Sequence, residues 1–330
     1  MAPSGRYRIT TFYLLVILTL CTGTCLSYSQ GPLRKMAYSR RSPAAAKKWQ
    51  QDLRRQLFEL LRLRDLIKDH AQLPLQPHTV AEHDCTTYQL LEVEIQSTPS
   101  RRIPILLSKP KPALAVCPAV VCVHGHGGSR RTVYDRHSIY KGFAAELAAA
   151  GYVTIAADVG QHQVYEAGQT LMGERLWDLI RCVDFLCALE VVNPKSIGCA
   201  GLSLGGEMTM WLGAMDERIS ATVSSGFLTF MDQMEKNHCP CWKFAGLRER
   251  VDWPDIYSLI APRPLQCQNG LKEPAQDFTV ALAEKAIKEV QLIYQDFSHP
   301  EAAELQVHEG GHEIDLASLK RFFARTLGPH

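Results

Sequence analysis

The sequence predicts an α/β protein built on a mainly parallel, twisted sheet of about eight strands flanked by helices, and two observations predict it. From residue 119 onward, short apolar runs alternate with longer amphipathic ones, the pattern of strands buried on both faces beneath covering helices. A chain of 330 residues, 46% hydrophobic and 21% charged, also has the balance of a globular protein with one sizeable core.

The elements follow in chain order. Between Trp49 and Asp69, leucines recur near helical spacing among Arg, Asp and Glu, which predicts an amphipathic helix that Pro74 and Pro77 close. Strand-like runs at 90–96 and 102–107, separated by Ser97-Thr98-Pro99-Ser100, predict an antiparallel hairpin at the entry to the sheet. Further strands are expected at 119–123, 153–157, 196–200, 221–225, 264–268 and 305–307. The helices between them are expected near 138–150, 173–191, 203–215, 276–290 and 316–326. Residues 227–252 fit no element and gather Met, His, Cys and Trp, so they are expected to form a lid or pocket wall. The domain organisation expected is a leader over 1–29, a helical extension over 30–80 and a catalytic domain over 81–330.

The leader is expected because Arg6 and Arg8 precede an uncharged, mostly apolar run over 9–21 followed by small residues, the make-up of a secretory signal peptide. Export to a periplasmic or extracellular space follows. Retention as a single-pass anchor is the alternative, and the only route to a membrane partner. Translation from Met36 is another, and would make the protein cytoplasmic. A net charge of +2 gives no field that would favour nucleic acid. Eleven cysteines show no disulfide framework. Five of them, Cys117, Cys122, Cys187, Cys199 and Cys267, stand in apolar runs as small hydrophobes, a usage that suits a reducing compartment and sits awkwardly with the leader. Cys239-Pro240-Cys241 stands in a polar, irregular stretch, and nothing nearby in sequence supports a metal or redox role for it.

Gly201-Leu202-Ser203-Leu204-Gly205 lies between an expected strand and an expected helix, where paired glycines allow the tight turn that lifts a serine out of the sheet's end. Ser203 is therefore the candidate nucleophile. Its hydroxyl needs a base oriented by an acid, in the chain order Ser, acid, His. His312, freed by Gly310-Gly311 after the last strand, is the expected base, and His308 is expected to be structural. Glu273, after the 264–268 strand, is the expected acid, with Asp277 and Asp232 as alternatives. Leu204 supplies one backbone N–H of an oxyanion hole, and His126 in His124-Gly125-His126-Gly127-Gly128 supplies the other. His308-Glu309-Gly310-Gly311-His312 also spells a zinc-protease signature, but two glycines, each costing about 1 kcal/mol in a helix, oppose the helix that signature needs. The His124-x-His126 pair has no Cys or acidic partner nearby in sequence, so no metal is expected. Glu207 is expected to satisfy a buried partner, and Arg175 with Asp178 to form scaffold ion pairs.

From Trp49 to the end the chain resembles the dienelactone hydrolase and acetyl xylan esterase-like branch of the α/β-hydrolases. The resemblance rests on the His124 to Gly128 loop, Gly173-Glu174-Arg175, Gly201 to Glu207, Ala261-Pro262-Arg263-Pro264 and Gly311-His312. It implies an α/β-hydrolase fold, ester hydrolysis without a cofactor, and a small-molecule or glycan ester as partner, with acetylated carbohydrate as one such substrate. The acid loop departs from the branch, reading Gly270-Leu271-Lys272-Glu273-Pro274 where the family has Asp before the Pro. A serine peptidase and a non-catalytic binding module on the same fold are the competing functions. The sequence leaves the oligomeric state open.

Overall fold

The computed structural model describes residues 34–112, 116–235 and 237–328. The leader expected over 1–29 lies outside them. None of the described helices is long and apolar enough to cross a membrane.

The described chain opens with α1 (Pro43–Leu60) and α2 (Leu63–His70). Ser42 caps α1 by accepting the Ala45 N–H, and Pro43 supplies a preset φ where no amide donor is needed. Ala46, Trp49, Gln50, Leu53 and Leu57 form its buried stripe, and Gln50 Nε2 donates to the Ser258 and Ala261 carbonyls at 3.0 and 2.8 Å. The one helix expected here is two, because Arg62 takes a left-handed φ of 61° between them. The residues just before α1 are also tied down: Arg34 donates to the fully buried carboxylate of Asp255 at 2.7 and 3.1 Å, and Tyr38 N–H reaches it at 2.8 Å.

Nine strands follow, in the order β1-β2-β3-β5-β4-β6-β7-β8-β9 across one sheet. These are β1 (His78–Asp84), β2 (Tyr88–Thr98), β3 (Arg101–Pro110), β4 (Cys117–Val123), β5 (Val153–Ala157), β6 (Val192–Leu202), β7 (Ile219–Ser225), β8 (Leu265–Gly270) and β9 (Ala303–His308). The first three pair antiparallel, and β3 runs antiparallel to β5. From β5 to β9 every pairing is parallel. The unexpected strand is β1, a polar edge strand with six of its seven residues exposed, which carries no apolar alternation to announce it. Central β4 is buried at all seven positions, as a two-sided parallel strand should be.

Helices α3 (Phe143–Ala149), α4 (Leu171–Ala188), α5 (Leu204–Met215), α9 (Val280–Asp296) and α10 (Leu316–Thr326) cover the sheet. The expected irregular segment holds single turns, α6 (Met231–Met234), a 3₁₀ turn at Pro240–Trp242 and α7 (Leu247–Arg250), before the short α8 (Trp253–Ser258). Neighbouring β4 and β6 both point their C-terminal ends at one side, and the strand order reverses between them, since the chain leaves β4 toward β5 and β6 toward β7; ligands of open parallel sheets bind at such a switch point.

Candidate active site

Ser203 stands between the end of β6 and the start of α5 with φ 63° and ψ −124°, a conformation that costs a non-glycine residue free energy and that its surroundings must enforce. Its N–H donates to the Ser225 carbonyl at 2.9 Å, which fixes the turn to the end of β7. The flanking glycines are sterically required: a Cβ on Gly205 would lie 2.2 Å from the Val123 carbonyl oxygen, and one on Gly201 2.4 Å from that of Gly205.

His312 comes from the loop after β9 and Glu273 from the loop after β8. Backbone bonds from Leu271 to His308 and from Lys272 to Gly310, at 2.8 and 2.9 Å, zip the two loops together. His312 Nδ1 lies 2.9 and 3.1 Å from the two oxygens of Glu273, whose side chain is only 1% exposed. That arrangement puts the proton on Nδ1 and leaves Nε2 a free base. Phe278 stacks on the imidazole, with centroids 5.7 Å apart at 20°. Gly226 leaves space for it, since a Cβ there would lie 2.8 Å from His312 Cε1. Asp277 lies toward His238, 3.7 Å away, and Asp232 pairs with Arg248 at the surface, so neither approaches His312 as Glu273 does.

The loop after β4 lies against the nucleophile, with a Cβ on Gly125 falling 3.0 Å from Ser203 Cβ. Gly125 N–H donates to the Tyr140 hydroxyl at 2.6 Å, while the next N–H, that of His126, and the first of α5, that of Leu204, have no backbone acceptor among the described residues. His124 is fully buried and structural: Val159 N–H donates to its Nε2 at 3.1 Å, and its Nδ1–H meets the Gly125 carbonyl at 2.8 Å. Between these groups lies a cavity of about 50 Å³ bounded by Ser203, Leu204, Glu207, Phe227, Trp242 and Phe278. The 227–252 segment therefore forms a wall of it.

A match to the dienelactone hydrolase family covers residues 103–237, which include the β4 loop, the Ser203 turn and part of this wall. The chain has an α/β-hydrolase fold and, over these residues, is similar to the dienelactone hydrolase family. The chain is 26% identical over 239 residues to YtaP of Bacillus subtilis (strain 168), provisionally named a hydrolase, covering 64% of this chain and 77% of that protein. Among solved structures it resembles BF1801 of Bacteroides fragilis NCTC 9343, provisionally named an acetyl xylan esterase, with a TM-score of 0.70 at 18% identity over 84% of this chain and 79% of that one. It also resembles a glucuronoyl esterase from Solibacter usitatus, with a TM-score of 0.61 at 15% identity over 77% and 86% of the two chains.

Several sequence expectations around this α/β-hydrolase site change. Asp178 pairs with Arg101 at 2.6 Å, not with Arg175, because the β2–β3 hairpin packs on α4. Arg175 is fully buried and directs its guanidinium to the Gln161 carbonyl and to Cys241 Sγ, 3.5 Å away. One oxygen of Glu207, Oε1, is buried without a hydrogen bond, and burial pushes its carboxyl up to about 8, against the opposing pulls of Arg175 and of the neighbouring Trp211 indole. Residues 309–315 are not helical, so the zinc-protease geometry does not form.

Proposed function

We propose that this α/β-hydrolase is a serine carboxylic-ester hydrolase working through an acyl-enzyme. His312 Nε2 takes the Ser203 hydroxyl proton as Oγ attacks the ester carbonyl. The carbonyl oxygen, now an anion, is received by the Leu204 and His126 N–H groups. His312 returns the proton to the departing alcohol; the same Nε2 then deprotonates a water molecule that attacks the acyl carbonyl, and passes that proton back to Ser203 Oγ as the acid is released. Glu273 keeps the imidazole in the Nδ1–H tautomer throughout and stabilises its protonated form.

The observation that carries this reading is the bond of His312 Nδ1 to a buried Glu273, which points the free nitrogen away from the acid. A cavity of about 50 Å³ beside Ser203 suits a short acyl chain. Acetylated carbohydrate is accordingly the proposed substrate class, in line with the esterase neighbours. Export by the 1–29 leader belongs to the same proposal.

Hydrolysis of p-nitrophenyl esters of increasing acyl length should fall steeply beyond acetate, and acetylated sugars should be turned over where uronate methyl esters are not. A fluorophosphonate should label Ser203, and Ser203→Ala should lower kcat on the order of 10⁶-fold. Full activity in Ser203→Ala would sink the proposal.

A further inference from the structure

Three separate loops bring four soft donor groups together beside the site. His126 follows β4, His162 follows β5, and Cys239 and Cys241 flank Pro240 in the wall segment. His126 Nε2 lies 3.2 Å from Cys241 Sγ, and His162 Nε2 lies 3.2 Å from Cys239 Sγ. All four ligand atoms lie within 4.8 Å of one another, and the imidazole centroids are 5.5 Å apart. Neither cysteine is in a disulfide.

Two separate thiol–imidazole hydrogen bonds would account for each 3.2 Å pair, but not for the two pairs abutting. A tetrahedral ion accounts for both. Zn–S bonds near ~2.3 Å and Zn–N bonds near ~2.0–2.1 Å place neighbouring ligand atoms about 3.3–3.8 Å apart, within about an ångström of the spacing found. We propose that His126, His162, Cys239 and Cys241 hold a zinc ion.

The chemistry of the donors selects the metal, since two thiolates and two imidazoles in a tetrahedron suit zinc and not the oxygen-seeking Mg²⁺ or Ca²⁺. On binding, the two thiols release their protons to solvent and both imidazoles bind through a neutral lone pair. The two thiolates then cancel the ion's charge. Arg175 Nη1, 3.5 Å from Cys241 Sγ, is the outer partner that steadies one thiolate. Four protein ligands leave no place for water or substrate, so the ion's work is structural. It ties the loop that carries the His126 N–H to the turn that carries Trp242, and so holds one wall of the cavity against the other. This assignment stands independently of the ester reading.

The full-length chain, purified in chelator-free buffer with added zinc and then desalted, should contain about one zinc per chain by plasma mass spectrometry. A mercurial that captures thiols should release that zinc to a chromogenic chelator, a measurement made on the unaltered protein. The Cys239→Ser/Cys241→Ser variant and His162→Ala should each lose it, whereas Ser203→Ala and Cys85→Ser should keep it. Cobalt reconstitution should give thiolate-to-metal absorption that Cys239→Ser weakens. A chain that carries no zinc, that carries a Cys239–Cys241 disulfide in its place, or that keeps zinc in the double cysteine variant overturns the proposal. Loss of ester hydrolysis in Ser203→Ala with zinc retained would separate this question from that of the proposed function.

Discussion

His312 Nδ1–H donates to both carboxylate oxygens of Glu273, at 2.9 and 3.1 Å, from a loop whose backbone is bonded to the Glu273 loop at two points. The acid therefore does not depend on a single side-chain rotamer for its aim. Replacing it by Gln keeps the size but removes the charge that stabilises the imidazolium, so kcat for Glu273→Gln should fall about 10³–10⁴-fold with KM little changed. Glu273→Asp restores the residue type of the related family but withdraws the carboxylate by one methylene, which should leave activity reduced by about 10²-fold. Steady-state kinetics on a short acyl ester would contradict this if Glu273→Gln stayed near wild type.

Glu207 makes the pH dependence of stability testable. Burial raises its carboxyl to about 8 in the folded state from an ordinary value of 4.5, so the folded protein holds a proton that the unfolded chain has released between those two values. The fold therefore binds more protons than the unfolded chain in that window, and its stability must decline as pH rises from about 4.5 to about 8. Glu207→Gln keeps the shape and the hydrogen-bonding capacity of the neutral acid. Its melting temperature should decline less than that of the wild type across this window and exceed it above pH 8. Parallel curves for the two proteins from pH 5 to 9 would show that Glu207 does not titrate there.

What could be read from the sequence were features carried by local spacing. The Ser203 turn is written in five consecutive residues, and the strand before it and helix after it are short apolar runs with clear ends. The reading of His312 and Glu273 needed only chain order and the positions of the last two strands. The β1 strand escaped because an exposed edge has no buried face to pattern, and the Arg62 break escaped because a left-handed residue inside a leucine-rich stretch leaves no compositional mark. The His126, His162, Cys239 and Cys241 cluster escaped for a different reason. His126 and Cys241 are 115 positions apart, and only the return of the 227–252 segment over the end of the sheet makes them neighbours. The Arg101–Asp178 pair was missed likewise, since a partner 77 positions away competes with a nearer one on the same helix.

Gly205 offers a test of the turn that does not involve chemistry. A methyl group there would lie 2.2 Å from the Val123 carbonyl oxygen and 2.9 Å from that of His124, so Gly205→Ala must push α5 away from the end of β4. Overpacking of this kind costs about 1–3 kcal/mol or more, because backbone and not a flexible side chain has to move. Gly205→Ala should melt several degrees lower and lose activity by more than its stability loss explains, since the Leu204 N–H moves with the helix. Gly168→Ala, where no atom lies within 4 Å of the added Cβ, provides a contrast in which only the strain of a φ of 83° is felt.

Arg34 tests where the folded protein begins. Its guanidinium donates at 2.7 and 3.1 Å to Asp255, a carboxylate with no exposed side-chain surface, and also meets Glu289 at 2.5 Å. The backbone N–H groups of Tyr38 and Asp252 still reach Asp255 without it, at 2.8 and 2.9 Å, but they carry no full positive charge. Breaking a buried pair by removing one partner costs about 3–5 kcal/mol, and the quarter exposure of Arg34 places the expected loss for Arg34→Ala at the lower end, about 3 kcal/mol. Chain initiation at Met36 would remove the same cation, so a protein starting there should show a similar loss, whereas cleavage at the end of the leader leaves Arg34 in place. Urea titration should find the two losses alike, and Asp255→Asn combined with Arg34→Ala should cost less than the sum of the separate changes, since both remove one interaction. Additive losses would mean that Arg34 acts through Glu289 or through chain entropy, and not through the buried carboxylate.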